Sequence, residues 1–306
     1  MAKVLRAGTD NDCGTFVTEH ASSALNQSVI TLADIELRLR MMFRVRMRLT
    51  HFDPPGPLQT IPISVICSEH AQTLARDSVA DAVALLKNDN MTLPLNAADI
   101  SSLAIIGPTA MLSRQSNYYA GPRTPCGMRF STLVDAMEQH VSRVLVANGT
   151  SICDGSNSVV PYEPHVNGTC CASVSAPPNK TEIAAAVAMA KSVDIVVMAI
   201  GTNLATACEG HDASSLLISD GQRALVKAVT EAVSRPVVVV TMTGVPLDIS
   251  ELLANENIGA VVHAGVPGVQ TLGIGDVIFG VKSPAGRIVQ TQYTQSFADQ
   301  LSIFDM

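Results

Sequence analysis

The sequence predicts an α/β protein: a mostly parallel sheet sandwiched by helices. Two observations carry that expectation. From about residue 100 onward, short runs rich in Val, Ile and Leu alternate with helical stretches. The short runs are apolar at every position rather than at every second one, which marks strands buried on both faces. The expected strands are Leu103–Ile106, Val144–Val146, Ile195–Ile200, Val237–Thr241 and Ala260–Val262. Between them Ser131–Gln139, Thr181–Ser192, Gly221–Val233 and Val269–Phe279 read as helices. Strand–helix–strand alternation builds βαβ units, hence an open doubly wound sheet. At 306 residues, with 47% hydrophobic and 15% charged residues, the chain can bury a large core.

The first hundred residues are organised differently. Thr31-Leu32-Ala33-Asp34 reads as a capped helix start, and the helix is expected to reach about Leu49. Along it Arg38, Arg40, Arg44, Arg46 and Arg48 alternate with Leu39, Met42, Phe43 and Val45, giving an amphipathic helix with a solvated basic face. Pro54, Pro55 and Pro57 must break it, so residues 50–66 are expected to be a linker. Ser68 then caps a second helix. Its apolar face is read as Ala71, Leu74, Ala75, Val79, Ala82, Leu85 and Leu86.

Composition excludes several functions. The net charge is −7 and no long run of Lys or Arg occurs, so nucleic acid is not an expected partner. No stretch is apolar for long enough to span a membrane as a helix. The opening Met1–Gly8 has no apolar signal-peptide core, which on its own predicts a cytosolic protein. The cysteines and glycosylation sequons point the other way. Cys153, Cys170 and Cys171 flank a polar loop-rich segment that a disulfide would staple, with the pairing among Cys126, Cys153, Cys170, Cys171 and Cys208 left open. Asn-x-Ser/Thr sequons begin at Asn26, Asn90, Asn148, Asn167 and Asn179. These features imply a secretory ancestry, hence a secreted glycoprotein.

Ligand sites on doubly wound sheets lie beyond the carboxyl ends of the strands. No G-x-G-x-x-G, no G-x-x-x-x-G-K-[ST] and no G-x-S-x-G occurs in those loops, so neither a nucleotide site nor a serine hydrolase is expected. The segment Cys208-Glu209-Gly210-His211-Asp212 does carry chemistry. It places two carboxylates and an imidazole just after a buried strand, where partial desolvation raises a carboxyl toward general-acid range. The same spacing also fits solvated loop residues and a helix cap.

That loop, with Gly201-Thr202-Asn203 before it, resembles the acid/base loop of family 3 glycoside hydrolases. Other stretches match the family in order. Asp10-Asn11-Asp12-Cys13-Gly14 resembles the end of the catalytic barrel in the β-xylosidase and α-arabinofuranosidase branch, and Phe52-Asp53-Pro54-Pro55 resembles the linker. Leu85-Leu86-Lys87-Asn88-Asp89-Asn90 resembles the entry to the second domain, and Ala264-Gly265, Pro267-Gly268 and Gly286-Arg287 resemble later landmarks.

The resemblance implies residues 1–49 as the end of a (β/α)8 barrel, 50–66 as linker and 67–306 as the α/β sandwich. It implies a retaining two-carboxylate hydrolase of β-xylosidase, α-arabinofuranosidase or β-glucosidase type, acting on xylan- or arabinan-derived oligosaccharides or on aryl and alkyl glycosides. Glu209 falls on the acid/base position. Asn117, Tyr118, Tyr119, His211 and Asp212 are the implied substrate-binding residues. No metal or cofactor is implied, since carboxyl groups suffice.

The family's nucleophile motif would lie upstream of Asp10, so the chain is expected to hold only the acid/base half of the pair. Ala207, Ala213, His263 and Gln292 replace common Glu, Arg and Trp positions, and the sequence has no Trp at all. The alternative is therefore a catalytically inactive carbohydrate-binding remnant or a truncated gene product. A barrel fragment leaves unpaired edges, so residues 1–49 are expected to be disordered or to pack differently on the α/β domain.

Overall fold

The computed structural model describes residues 1–112, 127, 129–153, 176–203, 206–207, 212–268 and 270–302. The chain divides into two compact units, Met1–Pro62 and Ile63–Met306.

The first unit is helical. It contains α1 (Ala2–Arg6), α2 (Phe16–Asn26) and α3 (Leu32–Arg48). The start of α3 follows the sequence reading closely. Thr31 Oγ1 accepts from Asp34 N while the Asp34 carboxylate accepts from Thr31 N, a reciprocal cap. Leu5, Ala24 and Ile30 form a small core, with Met1, Ala2, Leu25 and Ile35 packed around it. No strand occurs among the described residues of this unit, so it has no strand edges left to pair.

The second unit is the predicted sandwich. Its strands are β1 (Ala84–Asn88), β2 (Leu103–Ile106), β3 (Val144–Ala147), β4 (Ile195–Gly201), β5 (Val237–Met242) and β6 (Ile258–Gly265). They form a six-stranded sheet in the order β1-β6-β5-β4-β2-β3. All neighbours are parallel except β1, which runs antiparallel to β6. Val196–Gly201 and Val237–Met242 are buried throughout, the pattern the uninterrupted apolar runs implied. Each fully buried Val or Ile contributes about 1.5–3 kcal/mol.

Helices cover both faces. They are α4 (Glu69–Ala82), α5 (Leu133–Glu138), α6 (Lys180–Lys191), α7 (Asp220–Ala232), α8 (Ser250–Ala254) and α9 (Leu272–Ile278), and the short α10 (Gln295–Ala298) follows. One core joins the inner face of the sheet to α4, α5 and α9 through Ala80, Leu133, Met137, Ile274 and Ile278. The other joins the opposite face to α6 and α7 through Ala186, Ala190, Leu225, Val226 and Val229. The α7 residues recur at helical spacing, Ser219 caps the first turn, and Pro236 follows shortly after the last.

Three details differ from the sequence reading. Leu85 and Leu86 belong to β1, not to α4: Val83 is already extended, and β1 takes its backbone partners from β6, a distant segment that no local period reveals. Leu74 is exposed, because α4 turns Val79 and Ala80 toward the core instead. Helix α9 begins at Leu272 rather than Val269, and Val269 itself lies outside the described residues.

Cys153 is disulfide-bonded, as is Cys67, which the cluster around Cys153, Cys170 and Cys171 did not point to. Cys13 is an exposed free thiol. Cys126, Cys170, Cys171 and Cys208 lie outside the described residues.

Candidate active site at the sheet's switch point

The strand order fixes where a site can form. After β2 the chain passes to β3 on one side, then crosses back to β4 on the other. The loops leaving β2 and β4 therefore diverge, and a crevice opens at their carboxyl ends. The β2 exit leads toward Asn117, Tyr118 and Tyr119. The β4 exit leads toward Glu209, His211 and Asp212. These two loops, distant in sequence, thus leave the sheet from neighbouring strands.

Both exits are glycines held in left-handed backbone. Gly107 has φ +138° and Gly201 has φ +145°. Each lies against the carbonyl of the next strand: a Cβ on Gly107 would sit 1.9 Å from Ala199 O, and one on Gly201 would sit 1.8 Å from Met242 O. No side chain fits either place.

Past Gly201 the backbone is pinned on both sides. Thr202 N donates to Met242 O at 3.0 Å, toward β5. Successive residues of a strand point their backbone groups to opposite sides, so those of Gly201 face β2. There β2 has already turned away. Gln222 of α7, 1% exposed, fills the gap: its Oε1 accepts from Gly201 N at 2.9 Å, and its Nε2 donates to Gly201 O at 3.0 Å. Ser219 Oγ accepts from the same Nε2 at 3.2 Å. The sequence reading missed Gln222, although it lies three residues before Leu225 on the buried face of α7.

The next residues are ordered too. Thr202 Oγ1 and Thr243 Oγ1 share a buried hydrogen bond of 2.7 Å, and Thr243 Oγ1 in turn bonds Val245 O at 2.6 Å. Thr206 N donates to Asn203 O at 3.0 Å, starting a turn. At the end of β6, His263 Nδ1 meets the buried Thr241 Oγ1 at 2.9 Å. Burial holds the His263 imidazole below its ordinary pKa, so it stays neutral near pH 7.

Asp212 is exposed. Glu209, His211, Asn117, Tyr118 and Tyr119 lie outside the described residues. The described residues therefore give the root of the loop after β4 and its supports.

Gln222→Leu is expected to destabilise the protein by about 2 kcal/mol, because Gly201 N–H and C=O lose their partners inside the protein. Gln222→Glu buries a carboxyl and, when ionised, turns an oxygen toward Gly201 O, so it should destabilise at least as much. Urea denaturation of the three proteins checks the order.

Known proteins agree with this geometry. Residues 83–302 match the glycosyl hydrolase family 3 C-terminal domain. Probable β-D-xylosidase 7 of Arabidopsis thaliana is 34% identical over 304 residues, covering 98% of this chain and 36% of that protein. β-Xylosidase/α-L-arabinofuranosidase 1 of Medicago sativa subsp. varia is 30% identical over 312 residues, covering 100% of this chain and 36% of its own length. The solved structure of a family 3 exo-β-xylosidase in complex with a xylobiose aziridine probe superposes with a TM-score of 0.80 at 27% identity. It too is covered for 36% of its length, while all of this chain is matched. This chain thus spans little more than a third of the relatives it resembles. From the matched residues, the six-stranded sheet and the crevice between β2 and β4, the chain belongs to glycosyl hydrolase family 3, as its C-terminal α/β domain.

Proposed function

We propose that the chain supplies the acid/base half of a retaining glycoside-hydrolase site, xylosidase-like in substrate class. The observation that carries this reading is the exit of the Glu209 loop from β4 at the switch point, beside the exit of the β2 loop. Glu209 would protonate the glycosidic oxygen as the bond breaks, then take a proton from the water that releases the sugar. The carboxylate that attacks the anomeric carbon is assigned to a barrel domain, with which residues 1–49 are grouped, and residues 50–66 are read as linker. The relatives, named as β-xylosidases of plants and fungi, support xylan-derived oligosaccharides as substrates. Asn117, Tyr118, Tyr119, His211 and Asp212 are the proposed sugar contacts.

A second reading is carbohydrate binding without turnover. Ala213 favours it, since a cation expected beside the acid loop is gone, as does a sequence without Trp, the residue with the largest face for stacking a sugar ring. The disulfides at Cys67 and Cys153 favour an oxidising, extracellular location on either reading.

The test is hydrolysis of an aryl β-xyloside by the purified chain. No turnover is expected. Turnover that disappears in Glu209→Gln would mean the chain holds both carboxylates and would overturn the half-site. Titration with xylo-oligosaccharides then checks the contacts: saturable binding weakened at least tenfold by Tyr119→Ala or Asp212→Ala is expected, and no binding overturns them.

A further inference from the structure

We propose that Asn90 carries an N-linked oligosaccharide. This rests on the secretory reading above and assigns the modification to one place in the fold. Asn90-Met91-Thr92 is a sequon. The structure shows why this one can hold a large polar chain.

The loop that presents it is closed at its base and open at its tip. At the base, Asn88 Oδ1 accepts from Leu93 N at 2.9 Å and Asn88 Nδ2 donates to Leu93 O at 3.0 Å. Thr92 Oγ1 donates to Asp89 O at 2.7 Å. Lys87 Nζ fastens the preceding strand to the carbonyls of Leu253 and Asn255 at 3.0 and 2.8 Å. At the tip, Asn90 and Met91 both have positive φ, 51° and 55°. Asn90 is exposed and Met91 is 85% exposed. The Asn90 amide makes no hydrogen bond to the described residues, so its Nδ2 can be substituted without breaking one.

Position favours the same residue. Strand β1 runs antiparallel to β6, and its last residue, Asn88, pairs with Ala260 near the start of β6. The 89–92 turn therefore lies at the amino ends of the parallel strands, opposite the crevice. A glycan there leaves the β2 and β4 exits open.

The other described sequons are placed less well. Asn148 is exposed but follows β3 at the crevice end of the sheet, next to Ala147, whose carbonyl accepts from Gly107 N at the β2 exit, so a glycan there would crowd the crevice. Asn179 Oδ1 already caps α6 by accepting from Thr181 N and Glu182 N, at the rim of a cleft of about 420 Å³. Asn26 is exposed too, but it is the last residue of helix α2, not the tip of a turn pinned at its base. Asn167 lies outside the described residues.

The transfer needs a lipid-diphosphate-linked oligosaccharide as donor. Asn90 Nδ2 forms a bond to the anomeric carbon of the reducing-end sugar. The carbon–oxygen bond to the diphosphate breaks, the lipid diphosphate leaves with the electron pair, and the amide gives up one proton. In the folded chain the Thr92 hydroxyl is held by Asp89 O, so transfer precedes closure of the turn.

The test uses protein isolated from its own cells. An amidase that cleaves Asn-linked glycans, run in heavy-oxygen water, converts each modified Asn to labelled Asp, and peptide mass spectrometry reads the positions. The Asn90 peptide is expected to be labelled. Asn90→Gly, whose glycine suits φ +51°, should fold and migrate one glycan lighter, while Thr92→Ser should keep both the glycan and the bond to Asp89 O. Labelling at Asn26, Asn148, Asn167 or Asn179 without Asn90 overturns the site and leaves the secretory reading intact. No labelling at any sequon overturns both.

Discussion

Replacing Gly201 with alanine is expected to cost about 4 kcal/mol or more of folding stability, among the largest single-residue effects in this fold. Two causes add. The backbone at φ +145° is strained for any L-residue. The new methyl carbon would also stand 1.8 Å from Met242 O, well inside van der Waals contact, and that oxygen belongs to a buried strand that cannot retreat. Gly265→Ala is the control. It also has positive φ, at 58°, but nothing lies within 4 Å of its added carbon. Only the left-handed backbone is then penalised, at about 1–2 kcal/mol. Denaturant titration of the two variants separates strain from collision. Equal losses would mean that β5 does give way at Met242. The same collision recurs at Gly107 against Ala199 O, so the crevice is framed by two exits that tolerate no side chain.

Arg76→Met is expected to destabilise the protein by about 3 kcal/mol, the lower end for breaking a buried pair. Arg76 on α4 grips Asp276 on α9 with two bonds of 2.5 Å, and the Asp276 side chain is only 4% exposed. The pair holds the Arg76 guanidinium above its ordinary pKa. Without it, the Asp276 carboxylate stays buried beside an apolar sulfur chain. A third group makes the effect depend on pH. His140 stacks on Phe279 at 4.4 Å, with Nε2 3.8 Å from Asp276 Oδ1. Burial first, and then Arg76, hold the imidazole below its ordinary value, against the pull of Asp276.

The unfolded chain therefore binds this proton more readily than the folded one. Wild-type stability from His140 is present above about pH 6.5 and declines as pH falls below it. In Arg76→Met the repelling cation is gone and the Asp276 carboxylate remains, so His140 takes the proton more easily in the folded state. The difference between variant and wild type should narrow as pH falls through the imidazole range. Urea midpoints at pH 7.5 and pH 5.5 check it, and a gap that widens at low pH would overturn the role given to His140.

Much of this could be read in the sequence, for physical reasons that differ by element. Strands buried on both faces announce themselves, because every residue must be apolar, and Leu103–Ile106 begins and ends where the run does. Caps are local, so Thr31 with Asp34 and Ser68 before α4 were visible. Nonlocal partners were not. Strand β1 was hidden by the helical spacing that runs through Leu85 and Leu86, and only its pairing with β6, far along the chain, makes it a strand. Gln222 was hidden because a polar residue in a helix's first turn ordinarily faces water. Its role exists only once β2 has diverged and left Gly201 without a strand neighbour. The acid role proposed for Glu209 rests on the family resemblance alone, since two carboxylates and an imidazole in a loop fit a helix cap equally well.

The antiparallel β1 has a consequence for how the molecule behaves in company. A parallel sheet that ended at β6 would offer a straight row of amides and carbonyls to any passing strand. Instead the final strand runs against the grain, and its register slips between Leu85 and Lys87, so the row is broken. Lys87 then sends its ammonium sideways to the carbonyls of Leu253 and Asn255. A second copy approaching this border meets a kinked selvedge with no regular ladder to extend, and the fabric of the sheet is finished there.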